Sequence, residues 1–203
     1  MYSINASALI RTVRFAARYG FDIDAATTTA IKDNMHYCKE NITGPMNNYY
    51  INKGFGDGCV RRTYQYYSKY GIVDYFMTGL KGYAGSAEYE NPMLSTLEYV
   101  ESKTKVSADL AMSVMYLPVM KAKMADKEKT LEAITAVWDE LEITSGQKAI
   151  YEINDYSMER TAMLNTWYVC FSLTGSYLSP EALETLKKNK YYAKGELLVE
   201  AYK

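Results

Sequence analysis

The chain has 203 residues, 48% of them hydrophobic and 23% charged, with a formal net charge of −1 and a pI near 6.0. That is enough chain for one core, or for two small lobes sharing one. The charge excludes a protein that is basic throughout, so nucleic-acid binding has to come from local clusters of Lys and Arg.

Helical patterning dominates from end to end, and the expected fold class is all-α with roughly nine to ten helices. A helix from about Ala6 to Tyr19 stops at Gly20, a residue suited to the left-handed position after a helix. Asp24 caps a second helix running through Ile31 toward Lys39, after which Gly44-Pro45 breaks the chain. Asp57 or Gly58 opens a helix ending at Gly71, and a short one covers Ile72 to Met77. The glycine-rich stretch from Thr78 to Pro92 is the expected boundary between a region 1–80 and a region 81–203. Asn91-Pro92 reads as a cap followed by proline at the first helical position, with a helix to Lys103. Ser107 caps the next helix, which Pro118 should kink or split. Further helices are expected over Lys127 to Leu141, Ser145 to about Thr174, from a Ser179-Pro180 start to Lys188, and on to Tyr202.

Three cysteines, Cys38, Cys59 and Cys170, are far apart and odd in number, without the short paired spacing of a zinc site or a redox dithiol. They read as reduced thiols. No charged-then-apolar leader opens the chain, and no apolar run approaches the ~20 residues needed to span a bilayer. The expectation is a cytoplasmic protein with no membrane partner.

On the first helix, Arg11, Arg14 and Arg18 fall within about 60° of one another, while Leu9, Val13, Ala16 and Ala17 cover the other side. One face is for a core; the other is either a solvated charged surface or a seat for anions. On the helix after Asp57, Val60, Tyr64 and Tyr67 make a core stripe. Arg62, Tyr66 and Lys69 make a second stripe at the same spacing, either tyrosine-covered core or a surface where a ring stacks under a base while cations track phosphates. Lys187 and Lys188, near Lys190 and the pair Tyr191-Tyr192, form another basic patch or a solvated helix end.

The segment "ALIRTVRFAARYGFDIDAATTTAI", Ala8 to Ile31, resembles the neck of the class II nucleotidyltransferases, the family of CCA-adding tRNA nucleotidyltransferases and bacterial poly(A) polymerases. Arg11, Arg14, Phe15, Ala16, Ala17, Gly20 and Phe21 match the family's run Arg-x-x-Arg-Phe-Ala-Ala-x-x-Gly-Phe in order. "NKGFGDGCVRRTYQYYSKYGIVDYF" and the tail "LKKNKYYAKGELLVEAYK" are similar to later parts of the family more loosely. The resemblance implies neck, body and tail helices that hold an RNA 3′ end, of tRNA or poly(A); on that reading the expected contacts are Arg11, Arg14 and Arg18 of the neck helix, joined by the stripe Arg62, Tyr66 and Lys69 and the patch Lys187 and Lys188 that spacing alone picks out.

The match has two departures. Asn5 and Ala8 stand where the family has an Asp-x-x-Arg pair that reads the incoming nucleotide; Asn5 keeps hydrogen bonding and is a weak nucleotide-binding candidate, whereas Ala8 offers none. The family's catalytic head carries a Gly-Ser turn and an Asp-x-Asp pair for Mg²⁺, and only Met1 to Ile4 precede the first helix. The implied cofactors, Mg²⁺ and a nucleoside triphosphate, belong to that head as a partner domain, and no catalysis is expected from this chain alone. The rival expectation is a helical protein interaction module without RNA.

Other motifs offer less. Asp22-Ile23-Asp24 is an Asp-x-Asp by letter, but Asp24 is better placed as a helix cap than as a metal ligand. "GFGDGC", Gly54 to Cys59, lacks the strand and the Gly-Lys-Ser/Thr ending of a phosphate loop. His36 is the only histidine, so neither a multi-histidine metal centre nor a hydrolase triad can be assembled.

Overall fold

A computed structural model describes residues 5–41, 44–56, 58–141, 154–175 and 177–202. The fold is all-α, with twelve α-helices and no strand among the described residues. They are α1 (Ala6–Tyr19), α2 (Ala25–Asn34), α3 (His36–Asn41), α4 (Gly44–Phe55), α5 (Val60–Lys69), α6 (Ile72–Phe76), α7 (Ala87–Lys103), α8 (Ala108–Lys123), α9 (Leu131–Glu140), α10 (Asn154–Gly175), α11 (Pro180–Lys187) and α12 (Tyr192–Ala201). No described helix is long and apolar enough to cross a membrane.

Local chemistry explains most of the boundaries. Gly20 ends α1 at φ 72°, and Asp24, Thr130 and Ser179 cap α2, α9 and α11 by accepting from Thr27, Ala133 and Ala182 at 3.0, 3.1 and 3.2 Å. Three boundaries differ from expectation in ways the surrounding residues explain. The second helix does not run on to Lys39; it stops at Asn34, and Met35 starts a new direction with its side chain buried. Gly44-Pro45 opens α4 instead of breaking the chain, because a proline in the first helical turn removes an N–H that has no intrahelical partner there.

The helix expected from Pro92 begins five residues earlier, at Ala87, with Pro92 exposed inside it. Tyr89 and Glu90 anchor that earlier turn. The Tyr89 hydroxyl donates to the Met115 carbonyl at 2.6 Å, and Glu90 Oε1 accepts from the Gly85 amide at 2.9 Å. Ser145, expected to open α10, lies outside the described residues.

Pro118 does not split α8. An interior proline costs ~3 kcal/mol or more. Against that, α8 buries Leu110, Met112, Val114, Met115, Leu117, Val119 and Met120, each contributing ~1.5–3 kcal/mol. A helix apolar on all sides belongs at the centre, and α8 packs against α4, α7, α9 and α10.

Around it sits an aromatic knot. The Trp138 and Trp167 rings are 5.2 Å apart, Tyr116 is 5.3 Å from Trp138, and Trp167 Nε1 donates to the Ser113 carbonyl at 2.9 Å. The same buried cluster reaches Ile10 and Val13 of α1 and Leu198 of α12, so one core is continuous across the glycine-rich stretch. At its near end α1 packs on α5 and α3. α7 holds α5 at two points: Glu90 Oε1 accepts from the Tyr64 and Ser68 hydroxyls at 3.0 and 3.1 Å, and Glu101 Oε1 accepts from the Val60 amide at 2.6 Å.

Candidate nucleic-acid interface

The α1 sequence divides around the helix as its spacing requires. Ile10, Val13, Ala16 and Ala17 are buried, while Arg11 and Arg18 are exposed. Arg14 departs from the expected ridge: at the border between the two faces, it is only 8% exposed, and its Nε has no hydrogen-bond partner. Its guanidinium carbon lies 4.8 Å from the centroid of the Phe15 ring. Arg18 lies over Tyr19 in the same way, at 5.5 Å.

Those rings are part of a ladder that sequence reasoning missed. Phe15 stacks on Tyr19 with centroids 6.2 Å apart and planes 16° from parallel; Tyr19 stacks on Phe21 at 5.7 Å and 28°. Phe15, Tyr19 and Phe21 are 39%, 56% and 64% exposed. The signal was present as aromatics four apart on a helix, Phe15 and Tyr19, beside the arginine stripe. Three nearly parallel, water-facing rings with cations on their flanks suit unpaired bases and the phosphates that join them.

α5 supplies the other side. The Tyr66 hydroxyl donates to the Phe21 carbonyl at 3.0 Å, and its half-buried ring is tilted against Tyr70 at 6.2 Å. Tyr66 therefore holds the exit of α1, where the stripe alone suggested a stacking platform. Arg62 is exposed, and its Nη1 lies 2.7 Å from where a side chain on Gly20 would begin. Gly20 is required by its positive φ; the Arg62 tip is exposed and flexible enough to give way. Lys69 is exposed, with its ammonium 5.4 Å from the Tyr70 ring. Arg11, Arg14, Arg18, Arg62, Tyr66 and Lys69 thus lie on two helices packed together.

The remaining candidates stand apart. Asn5 caps α1, its side-chain oxygen accepting from the Ser7 amide at 3.0 Å, so that acceptor is already engaged. Lys187 and Lys188 are exposed at the end of α11, and Lys187 pairs with Glu184 at 2.8 Å; the hydrogen bond and the negative charge hold its ammonium above the usual lysine range. Beside α5, a cleft of about 430 Å³ is lined by Gly58, Cys59, Arg61, Arg62, Gln65 and Glu101. It adjoins the "GFGDGC" turn, whose helix N-terminus has its Val60 and Arg61 amides directed at Glu101 Oε1, at 2.6 and 3.4 Å. A carboxylate occupies the place a phosphate would take.

Asp24 is a cap, and Thr27 hydrogen bonds hold its carboxyl below the usual range. His36 is exposed with its ring against Tyr37 at 4.1 Å. Among the described residues no group of three or more His, Cys, Asp or Glu is placed to hold a metal ion. No protein-family model, curated protein or solved structure matches the chain.

Proposed function

We propose that this chain is a non-catalytic RNA-binding helical region of the class II tRNA nucleotidyltransferase and poly(A) polymerase type, positioning an RNA 3′ end by phosphate contacts and aromatic stacking. On this reading it works in the cytoplasm beside a nucleotidyltransferase head domain, and that head holds Mg²⁺ and the nucleoside triphosphate. The observation that carries the reading is the interleaving, along α1 and the turn after it, of guanidinium groups with the nearly parallel exposed rings of Phe15, Tyr19 and Phe21. Duplex RNA hides its base faces, so rings of this kind favour unpaired strands.

The exposure of Phe21 and Tyr19 also favours a second reading, a protein partner that buries both rings. Salt separates the two. Binding of labelled tRNA and oligo(A), followed by gel shift across a salt series, should weaken steeply as salt rises, and Arg14→Ala combined with Arg62→Ala should weaken it further and flatten the salt slope. Absence of any binding at low salt would remove RNA and leave the protein partner.

A further inference from the structure

Arg14 presents a charge problem that the free chain leaves open. The side chain is 8% exposed, its Nε is buried without a hydrogen-bond partner, and none of the ion pairs among the described residues includes it. An arginine stays protonated at any physiological pH, so it cannot escape by losing its charge. Among the described residues the Phe15 ring lies against the guanidinium, its centroid 4.8 Å from the guanidinium carbon, and a ring face supplies no acceptor for the edge of that group. Arg11 and Arg18, one turn to either side on the same helix, add positive potential without relieving the desolvated charge.

We propose that Arg14 is the buried wall of a single-phosphate pocket on α1, and that filling it tightens the docking of α1 onto the core. A phosphate oxygen pair matches the guanidinium fork, whose buried Nε lacks an acceptor. The pocket stands on the geometry of Arg14; it rests on the RNA reading only in naming an RNA phosphodiester, in preference to a free phosphate monoester, as the source of the group.

The test is thermal unfolding of the whole chain with three probes, each at ionic strength matched with NaCl: inorganic phosphate, AMP, and the dinucleotide ApA. Because phosphate strengthens burial in any protein, the readout is the difference between wild type and Arg14→Met. Wild type should gain about 5 °C at a hundredfold excess over the dissociation constant. Arg14→Met should melt higher than wild type without ligand, since it removes an unpaired buried charge, and should show no specific gain. Arg14→Lys, a milder change, should keep part of the response.

A gain confined to ApA assigns the pocket to the RNA backbone; gains confined to phosphate and AMP assign it to a free monoester. Equal responses in wild type and Arg14→Met, or no response in wild type to any probe, overturn the pocket. Salt-dependent oligo(A) binding without a probe response would remove the pocket and leave the RNA reading; the converse would remove RNA and leave the pocket.

Discussion

The Tyr66 hydroxyl donates to the Phe21 carbonyl at 3.0 Å, and this single bond fastens the turn after α1 to the middle of α5. Tyr66→Phe keeps the ring and removes the donor. The bond is exposed, so the loss should be ~0.5–1 kcal/mol, about 1–4 °C in melting temperature. RNA affinity should fall because Phe21 and Tyr19 lose their alignment, while the salt slope of binding stays unchanged. A changed slope would show that Tyr66 acts on the phosphates and not on the rings.

Tyr19 sits between two rings, at 6.2 Å from Phe15 and 5.7 Å from Phe21. Stacking is worth ~1–3 kcal/mol per base, so Tyr19→Ala should weaken oligo(A) binding about fivefold to a hundredfold at every salt concentration. Arg11→Ala should instead lower the salt exponent by about one, because it removes a phosphate contact. Fluorescence anisotropy titrations at four salt concentrations distinguish the two effects.

Gly195 of α12 lies directly on α10. A Cβ there would meet the Val169 Cβ and Cγ1 at 2.5 Å and the Thr166 carbonyl at 3.0 Å. Alanine would gain ~1 kcal/mol of helix propensity. Overpacking against a β-branched side chain and backbone costs ~1–3 kcal/mol and does not relax easily. Gly195→Ala should therefore be net destabilising, and chemical denaturation should show a lower midpoint with an unchanged slope.

Burial pushes the Cys38 thiol up to about 11 and the Cys170 thiol up to about 12, each from an ordinary 9.0. The native state therefore holds these protons after the unfolded chain has released them. Their contribution is complete below pH 9 and is lost as pH climbs from 9 toward 11 and 12. Burial also raises the Tyr64 and Tyr89 hydroxyls, which add a loss of the same sign above pH 10. Denaturation midpoints from pH 8 to 11 should be flat and then fall, and Cys38→Ala with Cys170→Ala should make the fall shallower. An identical fall in the double variant would assign it to the tyrosines alone.

Local rules carried far in this chain where a boundary depends on one residue. Gly20, Asp24, Ser179 and the Val60–Tyr64–Tyr67 stripe could be read directly, because a left-handed turn, a cap or an apolar face is written in adjacent letters. Reading failed where a distant partner decides. The early start of α7 depends on Tyr89 reaching Met115 and on Glu90 holding Gly85, Tyr64 and Ser68, none of which is visible in the helix's own sequence. At the interface, the positions of the arginines on α1 were legible from a 100° wheel. The burial of Arg14 and the stacking of Phe15, Tyr19 and Phe21 were not, because both depend on how far the helix sinks and on where the chain turns after Gly20.

Glu90 and Glu101 stand on one helix and grip α5 at its middle and at its start. A segment pinned at two points by α7 resists swivelling, so on the RNA reading an incoming strand meets α5 as a fixed surface. The surface then behaves like a vice whose fixed jaw carries Arg62 and whose other jaw, α1, carries Arg14 and is tied to the first by the Tyr66–Phe21 bond. Loosening the fixed jaw, as Glu101→Ala would, should blur discrimination among ligands before it abolishes their capture.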